Sequence, residues 1–244
     1  MQELKNRIKL FAILALISLL YVQNANGMGM RSLVALPIDK GGYVIRFSYE
    51  SLTDGERDVF ISSAAYGLTK DKALLIGMPY QITPGARNRV GDFSVLYRHT
   101  VLQDDFFSGT SRFALLGGVV VPSDNDREPA IQAGFVYTLF KNKHEFDIDV
   151  LYREGIDNRP SNGQYDLSWQ YRLSPSQLPD WGIVSQLNTV AELNGRWQEG
   201  NEMTNQVTLG LQWVHPRWVI EGGVIKNITN NNELSLILST RFHF

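Results

Sequence analysis

The stretch ELSLILSTRFHF, at residues 233–244, decides the fold. One face of this run carries Leu234, Leu236, Leu238, Thr240, Phe242 and Phe244. In a soluble protein such an ending exposes an apolar face together with an unpaired strand edge. A strand whose outer face meets lipid has neither problem. The run therefore predicts the closing strand of a bacterial outer-membrane β-barrel.

The first 27 residues have the pattern of a secretory signal peptide. Basic residues precede an uncharged apolar stretch at 10–22, and Ala25 and Gly27 supply the small side chains that a signal peptidase reads. An uncleaved anchor is the alternative, but the stretch is shorter than the roughly 20 apolar residues of a membrane-spanning helix. We expect cleavage near Gly27 and one barrel domain at 28–244, in the outer membrane of a Gram-negative bacterium.

Composition narrows the possible classes of protein. A chain of 244 residues suits a single barrel domain. Its formal charge of -2 argues against nucleic acid as a partner. The absence of cysteine excludes disulfides, thiol catalysis and lipid attachment at an N-terminal cysteine.

Apolar and polar residues alternate along most of the mature chain. The clearest runs lie at 41–52, 92–101, 145–154 and 164–173, followed by 182–195, 206–214 and 218–226. Less regular runs, apolar or small on both faces, lie at 59–66, 73–80, 110–121 and 130–140. With the last strand these make about twelve segments of about ten residues, the length that a tilted strand needs to cross a membrane. The prediction is an all-β, antiparallel transmembrane β-barrel of about 12 strands. A secreted β-sandwich is the alternative.

The connections fall into two sets. If the N-terminus lies in the periplasm, the odd-numbered connections face outward, and these are longer on average and richer in Gly, Asn, Asp and Pro. An even strand count returns the C-terminus to the periplasmic side. Aromatic residues near strand ends could form two interfacial girdles: Tyr43, Tyr80, Tyr152, Trp181, Trp213, Trp218 and Phe244.

Three motifs carry a resemblance to a known family. They are YGLT at 66–69, LIGMPY at 75–80 and GDFSVLYR at 91–98. They resemble the pattern of the outer-membrane transporter-like barrels of the phenol-degradation meta-pathway type. The resemblance implies a small barrel that passes small molecules and does not specify the solute. The ending on Phe244 is also similar to the signal that the barrel-assembly machinery reads.

Catalytic patterns are weak, and we expect no enzyme. The histidines His99, His144, His215 and His243 are scattered and show no metal-binding spacing, so no metal or cofactor is predicted. The sharpest enzymatic alternative is an outer-membrane phospholipase A, whose active site carries His-x-Ser-Asn-Gly. Here Arg159 precedes Pro160 and the run Ser161, Asn162, Gly163, so the serine lacks that base.

Charged residues on the predicted inner face nearly balance. The bases are Arg46, Arg98, Arg112, Arg153, Arg172, Lys226 and Arg241. The acids are Glu50, Asp147, Asp149, Asp166, Glu192, Glu221 and Glu233. Balanced charges either pair across the lumen or flank a weakly selective path. Strands 59–66, 73–80 and 110–121 turn small or apolar groups inward, whereas later strands contribute most of the charge.

From this pattern we expect a passive channel or transporter for small solutes, with amphipathic and aromatic compounds among them. In one interpretation the small inner residues line an amphipathic conduit. In the other they accommodate a tilted strand or a plugging segment at 28–40. The runner-up function is a non-conducting structural or adhesive barrel, and a lipid-acting barrel enzyme ranks third. Expected partners are outer-membrane lipid and lipopolysaccharide, the assembly machinery and a small-molecule solute.

Overall fold

A computed structural model describes residues 29–53, 57–83, 89–174, 185–229 and 233–244. Over these residues the chain forms twelve strands: β1 (Tyr43–Leu52), β2 (Asp58–Thr69), β3 (Lys72–Gln81), β4 (Phe93–Phe106), β5 (Gly109–Val121), β6 (Ala130–Lys141), β7 (His144–Gly155), β8 (Asn162–Arg172), β9 (Gln186–Gln198), β10 (Thr204–His215), β11 (Trp218–Asn227) and β12 (Leu234–His243). The predicted signal peptide at 1–27, Trp181 and the first residues of the predicted strand 182–195 lie outside the described residues. Within these described ranges no helix is long and apolar enough to span a membrane.

The strands form one closed antiparallel barrel, in which sequence neighbours pair and β1 pairs with β12. At this seam Val44 lies opposite His243 and Leu52 opposite Ser235. The backbone N–H of Tyr43 donates to the carbonyl of Phe244 at 3.0 Å, and that of Phe244 donates back at 2.9 Å. Because the sheet closes on itself, the first and last strands pair with each other and neither forms a sheet edge. The predicted all-β barrel of the outer-membrane type is confirmed as the fold.

Side chains alternate between an outward and an inward face. Along β12, Ile237, Ser239 and Arg241 are buried, whereas Leu236 and Leu238 are 51% and 59% exposed. Other large apolar side chains exposed on the outside include Leu115, Val119, Ile131, Phe146, Ile148, Leu167, Leu209, Leu211, Ile220 and Val224. An outward apolar belt around a polar interior is typical of barrels that sit in lipid.

The two ends of the barrel are distinguished by their connections. The proximal end holds Tyr43, Phe244 and the turns that follow the even-numbered strands. The distal end holds the turns that follow the odd-numbered strands. Aromatic pairs occur at both ends, with Tyr43 stacked on Phe244 at a centroid distance of 4.7 Å and Tyr152 on Trp197 at 6.2 Å.

Strand ends extend beyond the sequence prediction by five residues in β4 and by three residues in β2 and β9. β4 runs to Phe106, although alternation predicted an end at residue 101. The pairing with β5 shifts register between Thr100 and Leu102, and such a bulge breaks the period of two that the prediction relied on. β9 extends to Gln198, three residues beyond the predicted end at 195.

Candidate functional site

Residues 29–38, called the strap below, lie inside the barrel. The strap meets the wall at the proximal end, where a Cβ added to Gly67 would lie 2.6 Å from the carbonyl oxygen of Ile38. Farther in, Met30, Val34 and Ala35 are at most 3% exposed. This agrees with the alternative of a plugging segment at 28–40, of which Met28 lies outside the described residues.

Three alternate backbone amides of the strap donate to one side of the interior. The N–H of Leu33 donates to Asp149 Oδ2 at 2.8 Å, and that of Ala35 donates to Thr138 Oγ1 at 2.9 Å. The N–H of Arg31 donates to Glu192 Oε2 at 3.1 Å. Alternate positions of an extended chain point the same way. Side-chain oxygens on β6, β7 and β9 therefore accept the hydrogen bonds that the backbone carbonyls of a neighbouring strand would accept in a sheet.

The carbonyl groups of the strap are held by Arg98 of β4. Its two terminal nitrogens donate to the carbonyls of Val34 at 2.6 Å and Leu36 at 2.8 Å, and the residue is 3% exposed. A carbonyl oxygen is a good acceptor for a buried guanidinium. The strap is thus bound on its amides from one side and on its carbonyls from another.

Two side chains anchor the inner part of the strap. Arg31 Nε lies 3.2 Å from Glu50 Oε1 on β1, and its terminal nitrogen donates to Gln206 on β10. Met30 belongs to a buried apolar cluster with residues from β9, β11 and β12. These contacts attach the strap to the strands on both sides of the seam.

A buried ion-pair network joins β11, β12 and β1. Glu221 Oε1 lies 2.7 Å from Arg46, and Glu221 Oε2 lies 3.0 Å from Arg241. Gln212 donates to the same carboxylate at 2.9 Å. Buried charges persist when paired and hydrogen-bonded in this way, so the network cross-links β1, β11 and β12 on the inside of the barrel.

Five buried carboxylates point into the barrel from strands β7 to β9. Together they are called the packed wall: Glu145, Asp147, Asp149, Asp166 and Glu192. Asp147 accepts from Thr138 Oγ1 at 2.6 Å and from Gln170 Nε2 at 3.3 Å. Asp166 accepts from Asn194 Nδ2 at 2.7 Å. Hydrogen bonds from neutral groups and from the strap supply most of the partners of this wall.

A cavity of about 1260 Å³ lies beside the strap. Its lining includes Ala65 and His243 near the proximal end, and Arg57 and Glu202 near the distal end. One side is formed by inward residues of β2 and β3, called the open wall: Val59, Ile61, Ser63, Ala65, Leu75, Gly77 and Pro79. A smaller cavity of about 230 Å³ lies at the proximal end and is lined by Arg112, Arg172 and the strap residue Leu36.

The distal connections are tied together by Asp92. Its carboxylate lies 2.8 Å from Arg127 and 2.7 Å from Arg159, which belong to the connections after β5 and β7. Burial raises the pKa of Asp92, but the hydrogen bonds from Arg127 and Arg159 lower the pKa more, so it lies below its usual value. Three distal connections therefore share one charged contact.

Of the fourteen charged residues that the sequence assigns to the inner face, Glu233 lies just before β12 and lines the cavity, and twelve others occupy inward positions in three settings. Those in ion pairs are Arg46, Glu50, Arg112, Asp166, Glu221 and Arg241. Those bonded to the strap are Arg98, Asp149 and Glu192. Those with uncharged partners are Asp147, Arg153 and Arg172. The inward placement of Lys226 is wrong, because it shares the face of Ile220 and Val224, which are exposed.

Sequence reasoning missed two groups of interior residues. The first is a set of inward amides, among which Gln132 and Asn194 are at most 1% exposed. The position of these amides within alternating strands could have identified them. The second is the strap backbone, whose contacts with residues more than 100 positions away leave no local signal.

The described residues bring together no group of three or more side chains suited to a metal ion. Ser161 Oγ accepts from the amide of Gly155 at 3.3 Å, and the amide of Ser161 donates to Glu199 at 3.1 Å. His144 Nδ1 accepts from Trp169 Nε1 at 3.1 Å. The two hydrogen bonds of Ser161 with Gly155 and Glu199 are therefore those of a residue in a turn.

Comparison with solved structures gives outer-membrane barrels. The chain is similar to a KdgM porin with a TM-score of 0.51 and 10% identity, covering 82% of this chain and 99% of the porin. A KdgM porin in complex with disordered oligogalacturonate gives the same values. LpxR from Salmonella typhimurium aligns with a TM-score of 0.46 and 11% identity, over 82% of this chain and 100% of that one.

Sequence comparisons add no family. No family model matches the chain, and no curated protein matches it. The resemblance to the phenol-degradation barrels therefore rests on the three motifs alone. Because the structural similarity has an identity near 10%, it identifies the fold, a porin-like barrel of twelve strands.

Proposed function

We propose that this protein is a passive channel for small solutes in the bacterial outer membrane. The observation that carries the proposal is the cavity of about 1260 Å³ beside the strap, whose lining includes residues near both ends of the barrel. A solute could pass between the strap and the open wall. The volume suits a small organic molecule better than a polymer coil.

The membrane setting follows from the outward face. Its apolar belt would contact lipid and the acyl chains of lipopolysaccharide, with the proximal end toward the periplasm. The strand ending on Phe244 would be read by the barrel-assembly machinery. The predicted signal peptide at 1–27 would direct export, with cleavage near Gly27.

The solute we propose is small and partly apolar, and aromatic compounds are included. The open wall presents Val59, Ile61 and Leu75 to the cavity, and such side chains favour an apolar solute surface. A KdgM porin binds oligogalacturonate, which supports a small-molecule solute for a barrel of this fold. The motif resemblance to the phenol-degradation barrels supports the same class. We propose no catalytic role.

A non-conducting structural barrel is the second candidate. It is favoured by the strap, which is bound by Asp149, Glu192 and Arg98, and by the buried network around Glu221. If these contacts closed the interior completely, the cavity would be an enclosed space without passage.

Reconstitution separates the two candidates. We expect purified protein in planar bilayers to give discrete single-channel currents, and liposomes to take up small neutral, acidic and aromatic solutes. Because the chain has no cysteine, Ala35→Cys and Thr138→Cys supply the only thiols, and a disulfide or a short thiol-reactive cross-linker between these neighbouring positions would lock the strap. Channel currents that persist in the oxidised lock support a path beside the strap.

Two results would contradict a channel function. One is the absence of current and uptake in both the native protein and a variant lacking residues 29–38. The other is current in the strap-deleted variant alone, which would assign the native protein to the non-conducting class.

A further inference from the structure

Arg153 of β7 is an inward arginine with uncharged partners. Its Nε donates to Gln132 Oε1 at 3.2 Å, and its terminal nitrogens donate to Asn162 Oδ1 at 3.1 Å and Gln164 Oε1 at 3.0 Å. Among the described residues no carboxylate lies within ion-pair distance of it. A guanidinium has five N–H donors. Three are used here, so two remain, and the residue lines the large cavity.

Arg196 of β9 lies on the other side of β8. Gln164 is bonded to Arg153 and is also the register partner of Arg196. One terminal nitrogen of Arg196 contacts Asp166 at 2.8 Å and two backbone carbonyls. Its other terminal nitrogen and Nε have no such contact within the described part of the chain. Arg196 lines the same cavity, and its side chain is 29% exposed.

The opposite side of the cavity carries mainly apolar side chains, with Arg57 at its distal edge. In a ring of twelve strands β2 lies across from β8, and β3 lies across from β9. At these positions Val59, Ile61 and Pro79 line the cavity. A solute between the two sides would meet unfilled, charged donors on one side and hydrocarbon on the other.

We propose that Arg153 and Arg196 form a selectivity site for small organic carboxylates with an apolar body, such as aromatic or alicyclic monocarboxylates. The guanidinium groups pair with the carboxylate because their free donors match its two oxygens. The apolar body packs on the open wall. Inorganic anions can pair with the guanidinium groups but have no apolar body to pack on the open wall. This inference rests on the proposed channel function and specifies its solute class.

The test measures reversal potentials in planar bilayers with gradients of sodium benzoate, sodium acetate and phenyltrimethylammonium chloride. Benzoate and phenyltrimethylammonium share the ring and differ in the sign of charge. We expect the native protein to prefer benzoate to the aromatic cation by about tenfold, because a desolvated charge contact strongly separates the two signs. Benzoate should also slow chloride current at lower concentration than acetate does.

Three substitutions locate the site. Arg153→Gln and Arg196→Gln should each bring the benzoate-to-cation permeability ratio closer to one. Arg153→Lys should keep a preference for anions over cations but weaken the slowing of chloride current by benzoate, because an ammonium lacks the planar fork. Lys141→Gln is the control. It also removes one positive charge, but from an exposed residue at the end of β6, and should leave the ratio unchanged.

The outcomes are distinguishable. If the native protein gives no current in any salt, the channel function itself fails. If the native protein conducts without preference for benzoate, the selectivity site fails and the channel function stands. The same holds if Arg153→Gln and Arg196→Gln both keep the preference. Heat-dependent migration in gel electrophoresis verifies that both variants are folded.

Discussion

The open wall and the packed wall show how two sides of one barrel interior take different roles. The open wall, on β2 and β3, carries small and apolar side chains and borders a large cavity. The packed wall, on β7 to β9, carries five buried carboxylates and holds the strap through Asp149 and Glu192. Strand number sets the width of a barrel. In this barrel the side chains on each wall determine whether the space beside that wall is open or filled by the strap.

The largest contrast with the open wall is expected at Glu221 of β11, which lies outside the packed wall and centres the ion-pair network beside the seam. Glu221→Leu would leave Arg46 and Arg241 without their shared carboxylate, and we expect a loss of about 3–5 kcal/mol in the free energy of unfolding. Ser63→Leu on the open wall should cost little, since it extends into the cavity. Urea unfolding in lipid vesicles measures both losses, and equal losses would remove the distinction between the filled interior around Glu221 and the open wall.

The next effect concerns the width of the path. Ser63→Trp places a large ring in the cavity, and we expect single-channel conductance to fall by about twofold or more because the narrowest section limits passage. Ser62→Trp is the matched control, because Ser62 pairs with Phe47 and Met78 on the lipid side. A path on the other side of the strap would leave the two variants with the same conductance.

A smaller effect is expected from loosening the strap. Asp149→Leu removes the acceptor of the Leu33 amide, and amide exchange at Leu33 should accelerate by about tenfold, the equivalent of about 1.4 kcal/mol. Asp157→Asn, in the distal connection after β7, is the control. Unchanged exchange in Asp149→Leu would mean that Arg98 and the remaining contacts alone hold the strap.

The smallest effect is the pH dependence of the distal connections. Because the pKa of Asp92 in the folded protein lies below its usual value of 3.8, its stabilising contribution is present above that pH and is lost as the pH falls through the folded-state pKa. The native protein should therefore lose more thermal stability on acidification below pH 3.8 than Asp92→Asn does. Parallel melting curves for the two proteins across this range would contradict the role of Asp92.

Much of the barrel could be predicted from local alternation. In the strand from His144 to Gly155 every second residue turns inward, and the period of two assigns Asp147, Asp149 and Arg153 to the interior without knowledge of their partners. Alternation gave the wrong strand end at the bulge near Thr100. The assignment of charged residues to the interior was wrong for Lys226, an outward lysine near a strand end. A long charged side chain at such a position can reach water, so charge alone does not identify an inward residue.

The contacts of the candidate site were less predictable. The sequence proposed Asp149 and Arg98 as lumen residues, but nothing near either residue indicates that both bind the strap. These contacts join residues 116 and 64 positions apart. They depend on barrel closure, which brings opposite walls to the same segment.

The seam between Tyr43 and Phe244 has a consequence for the order of assembly. Every other strand pairing joins neighbours in the chain, so each can form as a hairpin with a short loop. The pairing of β1 with β12 instead closes a loop of nearly the whole barrel, and its entropic cost must be met before its hydrogen bonds form. We therefore expect this pairing to form last in folding, with the sheet still open along both edges until the final strand arrives.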